Sequence, residues 1–270
     1  MSFFCCNFVP DLVSMTTKTP EQIELEKLRA RLTRRFHKAC ADYGLIADGD
    51  HILIGLSGGK DSLALVELLG RRAKIYKPHF RVTAVHVRVR ERAYQTDMSY
   101  LKQFCQEAGV PLIVRDVEIG EGSNGRTDES NPCFLCAWYR RKTLFNVAQE
   151  LGCNKIALGH HRDDVAQTLL MNLVFQGTFA SIPPILPMEK MPLALIRPLY
   201  LIDETDISRY ATLRGYQRPP KLCPFEHVSS REKAKDLLEQ IKQMSPEAMD
   251  SIFGAMTNIK ADYLPIRVES

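Results

Sequence analysis

The sequence predicts an α/β protein: an open parallel sheet with helices on both faces and with helical additions at the N- and C-terminal ends. Three observations support this prediction. Strand-like apolar runs alternate with helical patterns through the middle of the 270-residue chain, helical patterns occupy both ends, and 45% of the residues are apolar. Such alternation is typical of a parallel sheet covered on both faces, and a chain of this length can bury a substantial core.

The first predicted element is a basic helix. The segment "KLRARLTRRFHK", residues 27–38, contains six Lys or Arg and no acid. Its apolar side chains repeat at helical spacing: Leu25, Leu28, Leu32 and Phe36. One face should therefore pack on the core, while the other, which carries Arg34 and Arg35, is suited to phosphates. An ordinary solvated face is the alternative.

Five strand-like runs follow the basic helix, at residues 51–56, 82–87, 111–117, 155–159 and 193–199. Right-handed crossovers place the loops after such strands along one edge of the sheet, where open α/β sheets bind ligands. Residues 57–62 and 160–164 should lie at that edge. Polar or Pro-rich breaks are expected at 121–132 and 183–192.

The C-terminal part of the chain is helical in pattern from about residue 203, with one helix ended by Gly215 and another opened by a serine cap. The chain is therefore expected to have four parts. The parts are a loose N-terminal tail (1–20), a basic helical segment (21–50), an α/β domain (51–202) and a C-terminal helical region (203–270).

Targeting signals are weak in this sequence. No apolar run approaches the roughly 20 residues that span a bilayer. The opening "MSFFCCNFVPDLVSM" is apolar but lacks the basic region of a signal peptide. We therefore expect a cytoplasmic protein whose first residues form a loose tail, with Met15 as an alternative start. The net charge of +4 is too small to indicate a nucleic-acid partner by itself.

The eight cysteines do not form a pattern typical of a disulfide framework. Cys5 and Cys6 lie in the loose tail. Three others lie in or beside apolar-periodic segments, where we expect small buried side chains: Cys40, Cys105 and Cys153. The remaining three are candidates for chemistry: Cys133, Cys136 and Cys223.

The stretch "ILIGLSGGKDSLAL", residues 52–65, predicts an anion site. It is not a Walker loop, because that motif needs glycine where Ile54 stands and Ser or Thr where Asp61 stands. The glycine spacing also fails the dinucleotide-binding fingerprint. Even so, the amides of a Ser-Gly-Gly turn at the start of a helix can point at an anion, with Lys60 adding a charge and Ser62 a hydroxyl. Leu63, Val66 and Leu69 should be the buried face of that helix.

The turn resembles the S-G-G-x-D-S signature of the PP-loop ATP pyrophosphatases, whose fold is of the adenine nucleotide α-hydrolase type. The resemblance implies cleavage of ATP between its α- and β-phosphates, with adenylation of a substrate. It also implies that one continuous set of residues contacts the phosphates of ATP and Mg²⁺: Ser57, Gly58, Gly59, Lys60, Asp61 and Ser62. Lys60 and the loop amides would stabilise the departing pyrophosphate.

Two of the candidate cysteines open a predicted helix over residues 131–152. Asn131 should cap it and Pro132 suits its first position. Cys133 and Cys136 then lie on one side of the first turn, where the helix dipole favours the thiolate. A single C-x-x-C is compatible with zinc, an iron–sulfur cluster or a redox disulfide. His227 with the three candidate cysteines could form a Cys₃His zinc site, which is the structural alternative.

The cysteines and the loop together resemble the tRNA 2-thiocytidine synthetase family, over about residues 25–264. The resemblance implies that Cys133, Cys136 and Cys223 hold a 4Fe-4S cluster with one iron that has no protein ligand and can carry sulfur. It further implies a cytidine at tRNA position 32 as substrate, a cysteine-desulfurase sulfur donor and a homodimer. Members often have a second C-x-x-C, whereas Pro219, Pro220 and Lys221 precede Cys223 here. Loss of that extra ligand weakens the zinc alternative more than the cluster.

The segment "GHHRDDVAQTLLMNL" places four titratable side chains at a strand-to-helix junction: His160, His161, Asp163 and Asp164. A helix cap explains one aspartate, and a structural role for His161 is as plausible as a functional one. We expect His160 and Asp163 near the nucleotide, and Asp164 near magnesium, together with Asp61, or at the helix start. Val165, Leu169 and Leu173 should form a buried stripe.

A tRNA substrate would need basic residues near the cysteines. Arg140, Arg141 and Lys142 follow the C-x-x-C by one helical turn and could bring RNA phosphates close to it. Two other readings remain open. A lysidine-forming PP-loop enzyme also adenylates a cytidine but needs no cluster, and a zinc-stabilised RNA-binding protein would need no intact loop.

Overall fold

The computed structural model describes residues 18–90, 96–118, 132–217 and 230–265. The helices are α1 (Pro20–Asp42), α2 (Lys60–Ala73), α3 (Met98–Ala108), α4 (Pro132–Glu150), α5 (Arg162–Met171), α6 (Glu204–Leu213), α7 (Ser230–Met244) and α8 (Ala248–Ala255), with a π-helical turn at Asn172–Gln176 and a 3₁₀ turn at Ala261–Tyr263. The strands are β1 (His51–Gly55), β2 (Arg81–Val89), β3 (Leu112–Val117), β4 (Lys155–Ala157), β5 (Ile185–Pro187) and β6 (Ala194–Ile196). No helix in these ranges is long and apolar enough to cross a membrane.

One six-stranded sheet organises the fold, in the order β3-β2-β1-β4-β6-β5. Every pair except the last is parallel, so the predicted open parallel sheet is confirmed. All five predicted strands are present. The prediction of a break at 183–192 was wrong in part, because β5 lies there and pairs antiparallel with β6. Its proline is tolerated because β5 is an edge strand.

The two faces of the sheet are covered by different helices, as predicted. On one face a core forms from α1, α2 and α6 with the strands, and it includes the predicted apolar stripes of α1 and α2: Leu28, Leu32, Phe36, Leu63, Val66 and Leu69. On the other face, Val147 and Ala148 of α4 pack with Leu53 and Ile156 of the strands. The predicted helix at 131–152 is thus confirmed, and it begins at Pro132.

The basic face of α1 is partly neutralised by α6. Arg31 Nη2 lies 2.5 Å from Asp206 Oδ1, and Arg35 pairs with Asp203. The Arg34 side chain is exposed. Of the two arginines predicted to face phosphates, Arg35 is therefore already engaged with a carboxylate.

The predicted buried stripe of α5 was wrong at its last position. Val165 and Leu169 are buried, but Leu173 is 42% exposed. The α-helix ends at Met171 and the chain continues as a π-helical turn. A wider turn shifts the angular position of each later side chain, so the helical spacing no longer points Leu173 inward.

The cysteines predicted to be structural are confirmed as such. Cys105 and Cys153 are buried and Cys40 is partly buried, all three as free thiols. Burial raises the pKa of Cys40 to about 12 and that of Cys105 and of Cys153 to about 11. Thiols with such pKa values stay protonated at neutral pH and are poor nucleophiles.

A buried carboxylate joins α2 to α6 and the residues that follow it. Glu67 Oε1 accepts hydrogen bonds from Tyr210 Oη at 2.8 Å and from Arg71 Nη2 at 2.6 Å. Its Oε2 accepts one from Tyr216 Oη at 2.7 Å and lies 3.5 Å from Arg214 Nε. Because α2 begins at the Ser-Gly-Gly turn, this cluster holds α6 against the helix that carries the predicted anion site.

Candidate nucleotide site and cysteine-bearing helix

The predicted anion site is a tight turn between β1 and α2. Gly58 has φ 87°, a left-handed conformation that favours glycine. The Ser62 hydroxyl donates to the Gly59 carbonyl at 2.9 Å and lies 3.1 Å from Ser57 Oγ, so the turn is braced from within. Gly59 precedes the first residue of α2 and has no side chain to cap the helix. The first N–H groups of α2 have no acceptor inside the helix and can therefore bind an anion.

The segment after β4 lies directly against this turn. A Cβ atom on Gly159 would lie 3.3 Å from both the carbonyl carbon of Asp61 and the backbone nitrogen of Ser62. A side chain at position 159 would therefore be in tight contact with the backbone of the turn. The expectation that residues 57–62 and 160–164 share one edge of the sheet is confirmed.

Lys60 is held by two carboxylates. Its Nζ lies 3.1 Å from Asp61 Oδ1 and 3.2 Å from Glu204 Oε1, at the start of α6. Burial acts to lower the pKa of Lys60, but the charges and hydrogen bonds of Asp61 and Glu204 outweigh it and raise that pKa. Burial likewise acts to raise the pKa of Glu204, yet Lys60 and the nearby Lys235 of α7 hold it below its usual value.

His161 is a buried imidazole surrounded by carboxylates. Its Nε2 lies 3.4 Å from Asp164 Oδ2 and 3.9 Å from Asp61 Oδ1, and its Nδ1 lies 3.7 Å from Asp163 Oδ2. Asp164 also accepts a hydrogen bond from the His161 N–H at 2.9 Å, as expected for a carboxylate at a helix start. Neighbouring His160 is half-buried at the same junction.

Asp163 is 2% exposed, and protein groups occupy both of its oxygens. Oδ1 accepts from Lys242 Nζ of α7 at 2.5 Å, and Oδ2 accepts from the Glu204 N–H at 2.7 Å. Burial acts to raise the pKa of Asp163, but these hydrogen bonds and the Lys242 charge hold it below its usual value. Asp163 thus ties α5 to both α6 and α7 behind the nucleotide site.

The cysteine-bearing helix begins at the same edge of the sheet. Since α4 connects parallel strands β3 and β4, its first turn lies where β3 ends and its last turn where β4 begins. Leu144 packs beside Gly55, the last residue of β1, where an added Cβ would lie 3.4 Å from Leu144 Cδ1. Cys136 lies about two turns earlier in α4, and therefore on the carboxyl-edge side of Gly55.

The candidate metal ligands are only partly described. Cys136 is a buried free thiol, 8% exposed. The helix includes Cys133, whose side chain lies outside the described residues, as do Cys223, His227 and the predicted cap Asn131. Within the described ranges, no three His, Cys, Asp or Glu side chains are grouped so that they could hold a metal ion.

The predicted RNA-binding residues of α4 lie on different sides of the helix. Burial lowers the pKa of His86 in β2, and the positive charge of the nearby Arg140 lowers that pKa further. The His86 ring is hydrogen-bonded to the Leu56 carbonyl at 2.8 Å. Arg140 thus lies near the end of β1. Arg141 and Lys142 are exposed, with Lys142 Nζ 5.1 Å from the centre of the Trp138 ring.

Sequence reasoning missed two charged residues of the site, Glu204 and Lys242. Glu204 opens α6, where an acid in the first turn looks like ordinary helix-dipole compensation. Lys242 lies in a charged amphipathic helix among other lysines. Neither position carried a local motif, and only the contacts across the fold reveal their place beside Lys60 and Asp163.

Comparisons with known proteins agree with this geometry. The model of the PP-loop domain family matches residues 28–217. A tRNA-cytidine(32) 2-sulfurtransferase from Paraburkholderia phymatum is 35% identical, over 90% of this chain and 73% of the relative. The chain belongs to the PP-loop tRNA-cytidine 2-sulfurtransferase family. Another member, a tRNA-cytidine(32) 2-sulfurtransferase from Chromohalobacter salexigens, is 32% identical to this chain, over 92% of this chain and 87% of the relative.

The fold is also similar to that of a solved tRNA thiolase. The U34-tRNA thiolase NcsA from Methanococcus maripaludis, determined with its 4Fe-4S cluster, aligns with a TM-score of 0.70 and 27% identity. The alignment covers 86% of this sulfurtransferase family member and 79% of NcsA. The two proteins share their fold, and the NcsA structure contains a 4Fe-4S cluster.

Proposed function

We propose that this protein is an ATP-dependent tRNA-cytidine 2-sulfurtransferase that acts on the cytidine at position 32. The observation that carries the proposal is the common location of two sites. The Ser57–Ser62 loop follows β1, and the first turns of the cysteine-bearing helix α4 lie at the same carboxyl edge of the sheet. A nucleotide bound by the loop and a base delivered to the cysteines would therefore be neighbours.

The loop would hold ATP through its phosphates. Its donors are the first N–H groups of α2, the hydroxyls of Ser57 and Ser62, and Lys60, with Gly58 and Gly59 allowing close approach. Asp61 and Asp164, whose carboxylates both approach His161 Nε2, would hold Mg²⁺.

His160 would border the nucleotide, while Asp163 would act on the site through its contacts with α6 and α7. Both of its oxygens already accept hydrogen bonds from the protein. Asp163 therefore fixes the start of α6, where Glu204 faces Lys60.

Activation precedes sulfur transfer. The C2 oxygen of the cytidine attacks the α-phosphorus of ATP, the bond to the bridging oxygen breaks, and pyrophosphate leaves. Lys60 and the loop amides stabilise the charge that develops on the pyrophosphate. The C2 oxygen, now bound to AMP, has become a good leaving group. Sulfur then forms a bond to C2, and AMP departs with the oxygen.

Cys133, Cys136 and Cys223 would hold a 4Fe-4S cluster. Of these three, Cys136 lies among the described residues, and a buried free thiol near a helix N-terminus is a suitable cluster ligand. When bound, the cluster would supply sulfur in a deprotonated, nucleophilic form with one iron free of protein ligands. The 4Fe-4S cluster of the related thiolase NcsA supports this assignment.

The substrate must present an accessible base, which single-stranded RNA loops do and regular duplexes do not. An anticodon-loop cytidine fits this need. Five basic residues would contact the tRNA: Arg34, Arg35, Arg140, Arg141 and Lys142. For Arg35 this requires that it exchange its partner Asp203 for a phosphate. We further propose a cysteine-desulfurase type of sulfur donor, a homodimer and action in the cytoplasm.

The test is to purify the full chain anaerobically and to measure its metal content and its reaction with ATP. We expect about four irons per chain with acid-labile sulfide, and pyrophosphate release from ATP that depends on unmodified tRNA. Stoichiometric zinc without iron would contradict the cluster. Absence of tRNA-dependent pyrophosphate release, from a protein that still binds tRNA, would contradict the enzyme.

A further inference from the structure

Trp138 is an exposed aromatic side chain beside the cysteine pair. It is the only tryptophan in the chain, and it is 40% exposed on α4, two residues after Cys136. The core contacts of α4 come from other positions, among them Val147 and Ala148. Part of the Trp138 side chain is thus packed against the protein, and the remaining part faces solvent on the cysteine-bearing helix.

The surroundings of Trp138 hold its ring in place. The buried Tyr139 ring meets it edge-on, with centroids 4.9 Å apart and planes at 87°. Lys142 Nζ lies 5.1 Å from the ring centre, within the range of a cation–π interaction. A ring fixed in this way loses little conformational freedom when a flat partner stacks on it.

The same helix face is positively charged. Lys142 lies one turn after Trp138 and Arg141 three residues after it, and both are exposed. An aromatic platform flanked by cations is the arrangement by which proteins bind single-stranded nucleic acid, because the ring stacks on a base and the cations pair with the backbone. An acidic peptide would use the cations but not the ring.

We propose that Trp138 stacks on an unpaired base of the RNA substrate other than the cytidine that is modified. The inference rests on the proposed function, since it specifies how that substrate is held. Two residues along an α-helix correspond to about 200° of rotation, so Trp138 and Cys136 point to opposite sides of α4. The stacked base is therefore held on the opposite side of α4 from Cys136, and Trp138 is a binding residue and not a catalytic one.

The experiment uses the single tryptophan as its own probe. Titration of the wild-type full chain with unmodified tRNA should quench and shift its fluorescence, because a base stacks on the indole. Trp138→Ala should weaken tRNA binding about tenfold, within the range for one base–aromatic stack, and should raise KM for tRNA by more than it lowers kcat. Trp138→Phe, which keeps an aromatic face, should recover most of the loss.

The matched control is Tyr76→Ala. Tyr76 is 83% exposed but follows the C-terminal end of α2, at the opposite edge of the sheet, so its removal should change neither binding nor activity. The proposal is overturned if wild-type tryptophan fluorescence is unchanged while tRNA binds, or if Trp138→Ala binds tRNA as tightly as the wild type.

Two further outcomes separate this inference from its alternatives. A fluorescence change that follows protein concentration and not tRNA would assign Trp138 to an interface between two copies of the chain, and would overturn the stacking role. If tRNA quenches the fluorescence but never stimulates pyrophosphate release, the stacking role stands and the proposed function fails. Thermal unfolding of each variant checks that a loss of binding does not come from misfolding.

Discussion

At the residue scale, the proposed nucleotide site is a set of charges that satisfy one another. Lys60 lies between Asp61 and Glu204, and Glu204 also meets Lys235 of α7. The phosphates of ATP would need Lys60, so they would compete with the Glu204 carboxylate for the same ammonium group. The start of α6 is thereby coupled to nucleotide binding.

This competition predicts opposite effects for two substitutions. Lys60→Met should weaken ATP binding roughly 10- to 100-fold, the loss expected for a charge-assisted hydrogen bond. Glu204→Gln should tighten it roughly 3- to 10-fold, because one negative charge close to the phosphates is removed. Isothermal titration with ATP and Mg²⁺ measures both constants.

Glu107→Gln is the matched control for Glu204→Gln. Glu107 is an exposed carboxylate near the C-terminal end of α3 that accepts a hydrogen bond from Gln103, so its neutralisation should leave ATP affinity unchanged. Weaker ATP binding in Glu204→Gln would mean that Glu204 orients Lys60 for the phosphates instead of competing with them.

Single residues were predictable from the sequence where the chemistry is contiguous. Ser57 to Ser62 form one uninterrupted motif, and His161 and Asp164 follow a strand directly, so local reasoning found them. Glu204 reaches Lys60 across 144 residues and Lys242 reaches Asp163 across 79. Such pairs are created by the packing of α6 and α7, which the pattern of either helix alone does not specify.

At the element scale, the position of α6 depends on the buried Glu67 cluster. Burial acts to raise the pKa of Glu67, but hydrogen bonds from Tyr216 and Tyr210 and the charges of Arg214 and Arg71 hold it below its usual value. A depressed pKa in the folded protein means that the ionised carboxylate stabilises the fold. The contribution is present above the unfolded pKa of about 4.3 and is lost as the pH falls through the folded pKa.

Glu67→Gln should therefore lower the free energy of unfolding by about 1–3 kcal/mol at pH 7. The difference from wild type should shrink as the pH falls below the unfolded pKa of about 4.3 towards the lower folded pKa, because the unfolded wild type takes up its proton first. Urea unfolding at a series of pH values measures it. Tyr216→Phe, which removes one hydrogen bond and no charge, should cost less and show a weaker pH dependence. A difference that stays constant down to pH 3 would contradict this account.

Most elements were predictable from periodicity, and the exceptions have local causes. The central strands are continuous apolar runs buried on both faces, so their sequence is distinctive. Strand β5 was missed because prolines flank and end it, and edge strands tolerate proline. The end of α5 was misjudged at Leu173, because nothing in "LMNLVFQG" distinguishes a π-helical turn from a continuing α-helix.

At the scale of the whole molecule, the basic residues are distributed so that RNA would reach the cysteines from α4. Arg35 and Arg31 of α1 are paired with carboxylates of α6, whereas Arg141 and Lys142 are exposed. The C-x-x-C side of the proposed footprint should therefore contribute more to tRNA binding than α1 does.

Reversing the charges of Arg141 and Lys142 to glutamate should weaken tRNA binding and flatten its salt dependence. The slope of log K against log salt should fall by roughly 2, one for each lost phosphate contact. Filter binding at several salt concentrations measures the slope. The control reverses two exposed lysines at the opposite edge of the sheet, Lys74 and Lys77, and should leave the slope nearly unchanged. Equal slopes for both double variants would remove α4 from the footprint.

The central claim is that one edge of the sheet joins ATP-dependent activation to sulfur transfer on a tRNA cytidine. The most direct test is mass spectrometry of nucleosides from bulk tRNA of a strain that lacks this gene, complemented with the wild type, with Lys60→Met or with Cys223→Ala. We predict that 2-thiocytidine disappears in the deletion strain and returns only with the wild type. Unchanged 2-thiocytidine in the deletion strain would contradict the claim, and the nucleoside that did disappear would identify the true substrate.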